Sequence, residues 1–124
     1  MKLFTGCDIV RIARFADHLA DTRFLDHCFS RAEQDYCFSC ALPAQHLAAR
    51  FAGKEAVLKA LSGMGVRYDI RQIEIINEPS GRPSVRFHGP AVSDVQMPDK
   101  WTADISLSHD GEYAMATAIV YLLD

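Results

Sequence analysis

The sequence predicts an α+β fold in which an antiparallel sheet packs against one long helix. Three observations predict it: an apolar, strand-like run opens the chain, a long helical pattern fills its middle, and the second half reads as two hairpins punctuated by turn residues. Strands and helices segregated along the chain in this way argue for α+β rather than for alternating α/β units.

The opening run, Leu3-Phe4-Thr5-Gly6-Cys7-Asp8-Ile9-Val10, has strand length and strand composition. Short helical patterns follow near 11–19, 22–28 and 31–39, and Ser30-Arg31-Ala32-Glu33 has the spacing of a capping box at the start of the last. Pro43 at a first helical position starts the long helix near 44–61, along which Leu47, Phe51, Leu58 and Leu61 recur at helical spacing. Ser62-Gly63-Met64-Gly65 ends it. Ile70, Ile73, Ile75 and Ile76 mark a strand, Pro79-Ser80-Gly81-Arg82 a turn, and Ser84-Val85-Arg86-Phe87 the partner strand. The last hairpin spans 104–109 and 112–122, with Asp110-Gly111 as its turn and Ile105, Leu107 and His109 on one face. Segment 89–101, with Pro90 and Pro98, shows little periodicity and is assigned no element.

A single domain over 1–124 is expected, because 124 residues with 49% hydrophobic content suffice for one core. The longest apolar stretches, such as 114–123, fall short of a membrane span, and Met1-Lys2-Leu3-Phe4 leads into Asp8 without a signal-peptide core. A cytoplasmic protein with no membrane partner is the expectation. A net charge of −3 argues against a broad nucleic-acid footprint, which shows as a basic excess. Arg11, Arg14, Arg23 and Arg31 are grouped in the N-terminal third, either as a face for an acidic partner or as a solvated face balanced by Asp17, Asp21, Asp26 and Glu33. Arg11 and Arg14, three apart, are expected on one helical face. Of the four cysteines, Cys37 and Cys40 have a zinc-like spacing, but a zinc site needs a second pair or a close histidine pair, and only scattered His27 and His46 are at hand. Cys7, Cys28, Cys37 and Cys40 are expected to be reduced, structural thiols.

Three segments carry chemistry. The stretch Arg50-Phe51-Ala52-Gly53-Lys54-Glu55-Ala56-Val57-Leu58-Lys59 sets cations and one carboxylate on the long helix; it fits a phosphate ester held through a metal ion, or a plain i, i+4 salt bridge between Glu55 and Lys59. Asp8 interrupts the opening strand, where an unpaired carboxylate is costly, so it either finds a cation, metal or N–H partner or caps the following helix. His109 falls at a strand tip, where it is either a mounted donor or an exposed side chain.

Taken together, Gly6-Cys7-Asp8-Ile9-Val10, Phe51-Ala52-Gly53-Lys54-Glu55-Ala56 with Lys59, and Ile105-Ser106-Leu107-Ser108-His109 resemble the holo-acyl-carrier-protein synthase group of 4′-phosphopantetheinyl transferases. The motifs come in that family's order and spacing over nearly the whole chain, and Asn77-Glu78-Pro79-Ser80-Gly81-Arg82-Pro83 resembles its turn between two central strands. The resemblance implies the family's fold and a homotrimer whose active sites lie between subunits. It also implies transfer of 4′-phosphopantetheine from coenzyme A to a serine of an acyl carrier protein, with release of 3′,5′-ADP. By the same resemblance Asp8 and Glu55 hold magnesium and Lys59 meets the diphosphate. His109 and Arg50 face coenzyme A phosphates, Gly81-Arg82-Pro83 lies near the adenine, and Arg14 and Arg23 contact the carrier's acidic helix. The proton acceptor stays open among Glu55, Asp35 and a metal-bound water.

The chain departs from the family pattern at Arg11, where glutamate is common, at Ser62-Gly63-Met64-Gly65, and at 89–101, where the family usually carries a longer helix. Two other classes use a similar residue set: another magnesium phosphotransferase or nucleotide hydrolase, and a non-catalytic coenzyme A-binding trimer. The latter has no need of both carboxylates.

Overall fold

The computed structural model describes residues 1–123. The chain runs β1 (Lys2–Arg11), α1 (Ala13–Ala16), α2 (Thr22–Cys28), α3 (Arg31–Ser39), α4 (Pro43–Ser62), a 3₁₀ turn (Ile70–Gln72), β2 (Ile73–Asn77), β3 (Pro83–Phe87), β4 (Trp101–Asp110) and β5 (Tyr113–Leu122). The strands form two antiparallel sheets, β1-β5-β4 and β2-β3, where the sequence pattern suggested one. Aromatic packing joins them: Phe87 of β3 lies 4.8 Å from Trp101 of β4, and 5.2 Å from Tyr68.

Helix α4 is the centre of the molecule. It packs against β1, β5 and β4 on one side and against α1, α3 and β2 on the others, so Leu47, Phe51, Val57 and Leu61 are buried together with an alanine set on the remaining faces. A helix covered all round cannot show the single apolar stripe of a surface helix. Small residues let the layers approach. The inward face of β5 is Ala114, Ala116, Ala118 and Val120, and Gly6 of β1 sits so close to α4 that a Cβ there would stand 1.9 Å from the Ala56 carbonyl oxygen. Only glycine fits that position.

Local signals explain most boundaries. Pro43 is the first residue of α4, as its position predicts. Ser30 and Glu33 form the expected capping box. In the last hairpin the turn is shifted by one residue: Asp110 pairs with Tyr113, which leaves Gly111 and Glu112 at the tip. Gly111 takes φ +59° while Glu112 keeps a negative φ, so glycine occupies the one position that needs the left-handed region. Ile70 belongs to the 3₁₀ turn rather than to a strand, because the Gln72 side chain accepts from the Asp69 N–H at 2.9 Å and closes the turn just before β2. Segment 89–100 is irregular and is held by side chains: Gln72 Nε2 donates to the carbonyls of His88 and Pro90, at 3.0 and 2.9 Å. Helix α1 is a single turn, much shorter than 11–19, since β1 runs through Arg11.

One buried carboxylate ties three elements together. Glu33 of α3 is 1% exposed and Lys54 of α4 is wholly buried. Lys54 Nζ donates to Glu33 Oε1 at 2.6 Å and to the Cys28 carbonyl, while Glu33 also accepts from the N–H groups of Ser30 and Ile75, both at 2.9 Å. Burial pulls the Lys54 ammonium below the ordinary lysine value, and the Glu33 charge pulls it back. Cys28 and Cys37 are buried beside this network, and burial pushes the Cys37 thiol up to about 12.

Candidate active site

Along β1 the residues alternate, so Phe4, Gly6, Asp8 and Val10 face α4 while Leu3, Thr5, Cys7 and Ile9 face away. This puts Asp8 against the C-terminal half of the helix. It does not cap a helix; its partner is a cation. Lys59 Nζ lies 3.1 Å from Asp8 Oδ1 and 3.0 Å from the Cys7 carbonyl. The Asp8 side chain is 18% exposed and that of Lys59 54%. The hydrogen bond that Lys59 donates to Asp8, and then the Asp8 charge, raise the Lys59 ammonium above the ordinary lysine value. The i, i+4 bridge between Glu55 and Lys59 is thus replaced by a bridge between elements.

Glu55, one turn before Lys59, is half-buried and has no hydrogen-bond or ion-pair partner among the described residues. Burial raises its carboxyl, and the negative charge of Asp8 raises it further, against smaller opposing effects of Lys59 and Arg14. Two carboxylates near enough to repel, with only one cation bonded to them, favour a further positive charge beside them. Arg14 belongs to the same neighbourhood: its guanidinium lies 5.0 Å from the Phe51 ring centre, over the face of α4.

The other expected residues form separate groups. Arg50 is 4% exposed, donates to Asn77 Oδ1 at 2.6 Å and stacks on Tyr36 at 4.1 Å; its Nε is buried without a partner. His109 shares a hydrogen bond of 3.1 Å with Gln45 in the first turn of α4, and burial, then the charges of Arg50 and His109, lower nearby His46. Arg82 is exposed in the β2-β3 turn, next to Gly81 (φ +89°) and Pro83 at the start of β3. Its Nη2 donates to both carboxylate oxygens of Asp104 in β4, each at 2.7 Å. Arg82 and Lys59 line one cavity of about 830 Å³ on the outward face of the β1-β5-β4 sheet, together with Thr5, Cys7, Asp104 and Thr117. Arg23 stands on α2, in a second cleft.

Two sequence expectations are corrected. Arg11 and Arg14 do not share a helical face, because Arg11 ends β1 and stacks on Tyr113 of β5 at 5.1 Å. Lys54, read as one of the cations of the site, points to the opposite side of α4 and is consumed by Glu33. The partners Tyr36, Gln45 and Asp104 are brought in from other elements and carry no motif of their own, and Asn77, which opens the turn segment 77–83, gives no sign there that it meets Arg50. Glu33 reads in the sequence as a cap and as one of the acids of a solvated face, not as the buried partner of Lys54.

An edge strand and a helix bring two carboxylates and a lysine together, and the lysine also lines the cavity on the outward face of the sheet. A family model described as the 4′-phosphopantetheinyl transferase superfamily matches residues 5–118. The holo-[acyl-carrier-protein] synthase of Geobacter sulfurreducens is 39% identical over 121 residues, covering 94% of each chain. The solved acyl carrier protein synthase of Mycobacterium tuberculosis superposes with a TM-score of 0.73 at 32% identity, covering 97% of each chain. The Helicobacter pylori holo-[acyl-carrier-protein] synthase, solved in complex with coenzyme A, superposes with a TM-score of 0.68 at 25% identity over 94% of this chain and 99% of that one. The chain belongs to the 4′-phosphopantetheinyl transferase superfamily.

Proposed function

We propose that this chain transfers the 4′-phosphopantetheine group of coenzyme A to a serine of an apo acyl carrier protein. The serine oxygen bonds to the phosphorus that carries the pantetheine arm, the bond from that phosphorus to the bridging oxygen breaks, and 3′,5′-ADP leaves. The observation that carries the reading is the meeting of Asp8, Glu55 and Lys59, from β1 and α4, in a chain whose relatives bear that activity in their names.

An oxygen-only pair that repels itself fits magnesium, which binds through one or two carboxylates and keeps its other positions for water and phosphate. Asp8 and Glu55 would hold the ion, and bound there it supplies neutralisation of charge on the diphosphate. Lys59, tethered by Asp8 and the Cys7 carbonyl, offers a positioned point charge to the same oxygens. The serine proton goes to Glu55, directly or through a water within its reach; Asp35 is exposed on α3 and bonds to none of these groups. Arg50 and His109 take coenzyme A phosphates, and the turn Gly81-Arg82-Pro83 receives the adenine. Arg14, beside Glu55, and Arg23 meet the acidic carrier.

Incubation with apo carrier protein, coenzyme A and magnesium should add one phosphopantetheine mass to the carrier and release 3′,5′-ADP, and excess EDTA should stop both. Full transfer in EDTA would refute the metal assignment. Hydrolysis of coenzyme A or nucleotides without carrier modification would favour a different phosphotransferase.

The chain acts as one domain within a homotrimer with active sites between subunits. The support is the outward face of the β1-β5-β4 sheet, where Leu3 (56% exposed), Ile9 (65%), Met115 (43%), Ile119 and Tyr113 form an apolar surface with no cover in the protomer. Light scattering should give three chains per particle. A fully active monomer would rule out shared sites.

A further inference from the structure

Arg50 carries a charge that the protomer does not balance. Its side chain is buried, yet it donates to the neutral amide of Asn77, stacks on the neutral ring of Tyr36, and keeps an Nε with no partner. No carboxylate pairs with it among the described residues. A buried cation without a counter-charge is costly, so the fold holds this one ready for an anion from outside.

His46 stands one turn before Arg50 on α4, on the same face of the helix. Both side chains meet Tyr36 of α3: Arg50 lies over the ring face, and the His46 ring stands edge-on to it at 5.9 Å. The imidazole is partly buried and bonds to nothing among the described residues. The charged groups that act on it are Arg50 of α4 and His109 of β4, and no carboxylate is among them. His109 is tied to the same turn of α4 through Gln45, the neighbour of His46. Burial, then Arg50 and His109, hold His46 below the ordinary histidine value, so the free protein keeps it neutral.

We infer that His46 completes, with Arg50 and His109, a seat for the terminal phosphate monoester of coenzyme A, and that it enters the complex as an imidazolium. This rests on the proposed use of coenzyme A. A monoester carries about −1.5 to −2 charges at neutral pH, and a dianion beside the three groups reverses the field that keeps His46 neutral. The sign follows from linkage. A proton taken up on binding strengthens the complex at low pH, and that gain is lost as pH rises through the value His46 has in the complex.

Calorimetric titration with coenzyme A and with dephospho-coenzyme A, which lacks the monoester, tests this on the parent, His46→Gln and His46→Lys between about pH 6 and about pH 8. Coenzyme A affinity of the parent should fall on the order of tenfold across that range. His46→Gln should bind coenzyme A more weakly at the low end and show a shallower slope. His46→Lys, charged throughout, should keep the low-pH affinity at the high end. Dephospho-coenzyme A should bind all three proteins alike. A slope in His46→Gln equal to that of the parent, or a loss as large for dephospho-coenzyme A as for coenzyme A, overturns the inference while the transfer activity stands. A parent that binds neither ligand overturns the proposed function, and the inference with it.

Discussion

Glu55→Gln and Asp8→Asn should each lower kcat on the order of thousandfold while the protein stays folded, since each removes one charge from a two-carboxylate site without changing its shape. The protein has few means of compensating. Among the described residues no third carboxylate, histidine or cysteine joins Asp8 and Glu55 in a metal-binding group. The two variants should also differ from each other. Asp8→Asn frees Lys59, whose ammonium is tied to Asp8 in the parent, and it removes the repulsion that helps raise Glu55. The magnesium concentration needed for half-maximal rate should therefore rise in both variants, whereas Lys59→Met should lose turnover with a smaller change in magnesium dependence. Rates within a few-fold of the parent for either carboxylate variant would reduce Asp8–Lys59 to a surface ion pair.

Lys54→Met should be the most destabilising conservative change on α4. Removing one partner of a buried ion pair costs about 3–5 kcal/mol, because the remaining charge stays buried and unpaired. In a chain of this size that lowers Tm by on the order of 10–20 °C. The Glu33 carboxylate would keep the N–H groups of Ser30 and Ile75 as donors but no cation. Lys59→Met, whose side chain is more than half exposed, serves as the control and should melt close to the parent. Differential scanning calorimetry of the two variants separates the cases, and equal melting temperatures would mean that the Lys54–Glu33 pair contributes nothing net.

The parts of the fold that were legible in the sequence are those fixed by local chemistry. The Ser30–Glu33 cap, Pro43 at the start of α4 and the glycine-bearing hairpin tip are all set by residues within a few positions of one another. Helix α1 is shorter than its local pattern predicts because β1 continues through Arg11, a tertiary pairing with Tyr113 that no local signal announces. Ile70 was read with the isoleucines that follow it, but the Gln72 side chain closes a turn there.

For the site, the sequence picks out the charged side chains but leaves each with a structural alternative and does not show its partner. Asp8 in a strand demanded a counter-charge, and it came from Lys59, 51 positions away. Lys54 and Lys59 look alike on paper, five residues apart on one helix. Only the packing of α3 and β2 against one side of α4, and of β1 against another, decides that the first is structural and the second open to the cavity.

Glu33 has a consequence for how this sequence can vary. Its one carboxylate closes the cap of α3, neutralises the ammonium in α4 and holds the middle of strand β2 through the Ile75 N–H. Substitution by a neutral residue strands Lys54, while a shorter acid cannot reach all three partners at once. The exposed Arg82–Asp104 bridge adds little to stability, so only its place in the proposed adenine site holds it. Glu33 is held by the fold itself: a lineage can leave it only by changing α3, α4 and β2 together, so variation in this chain should stall at this position.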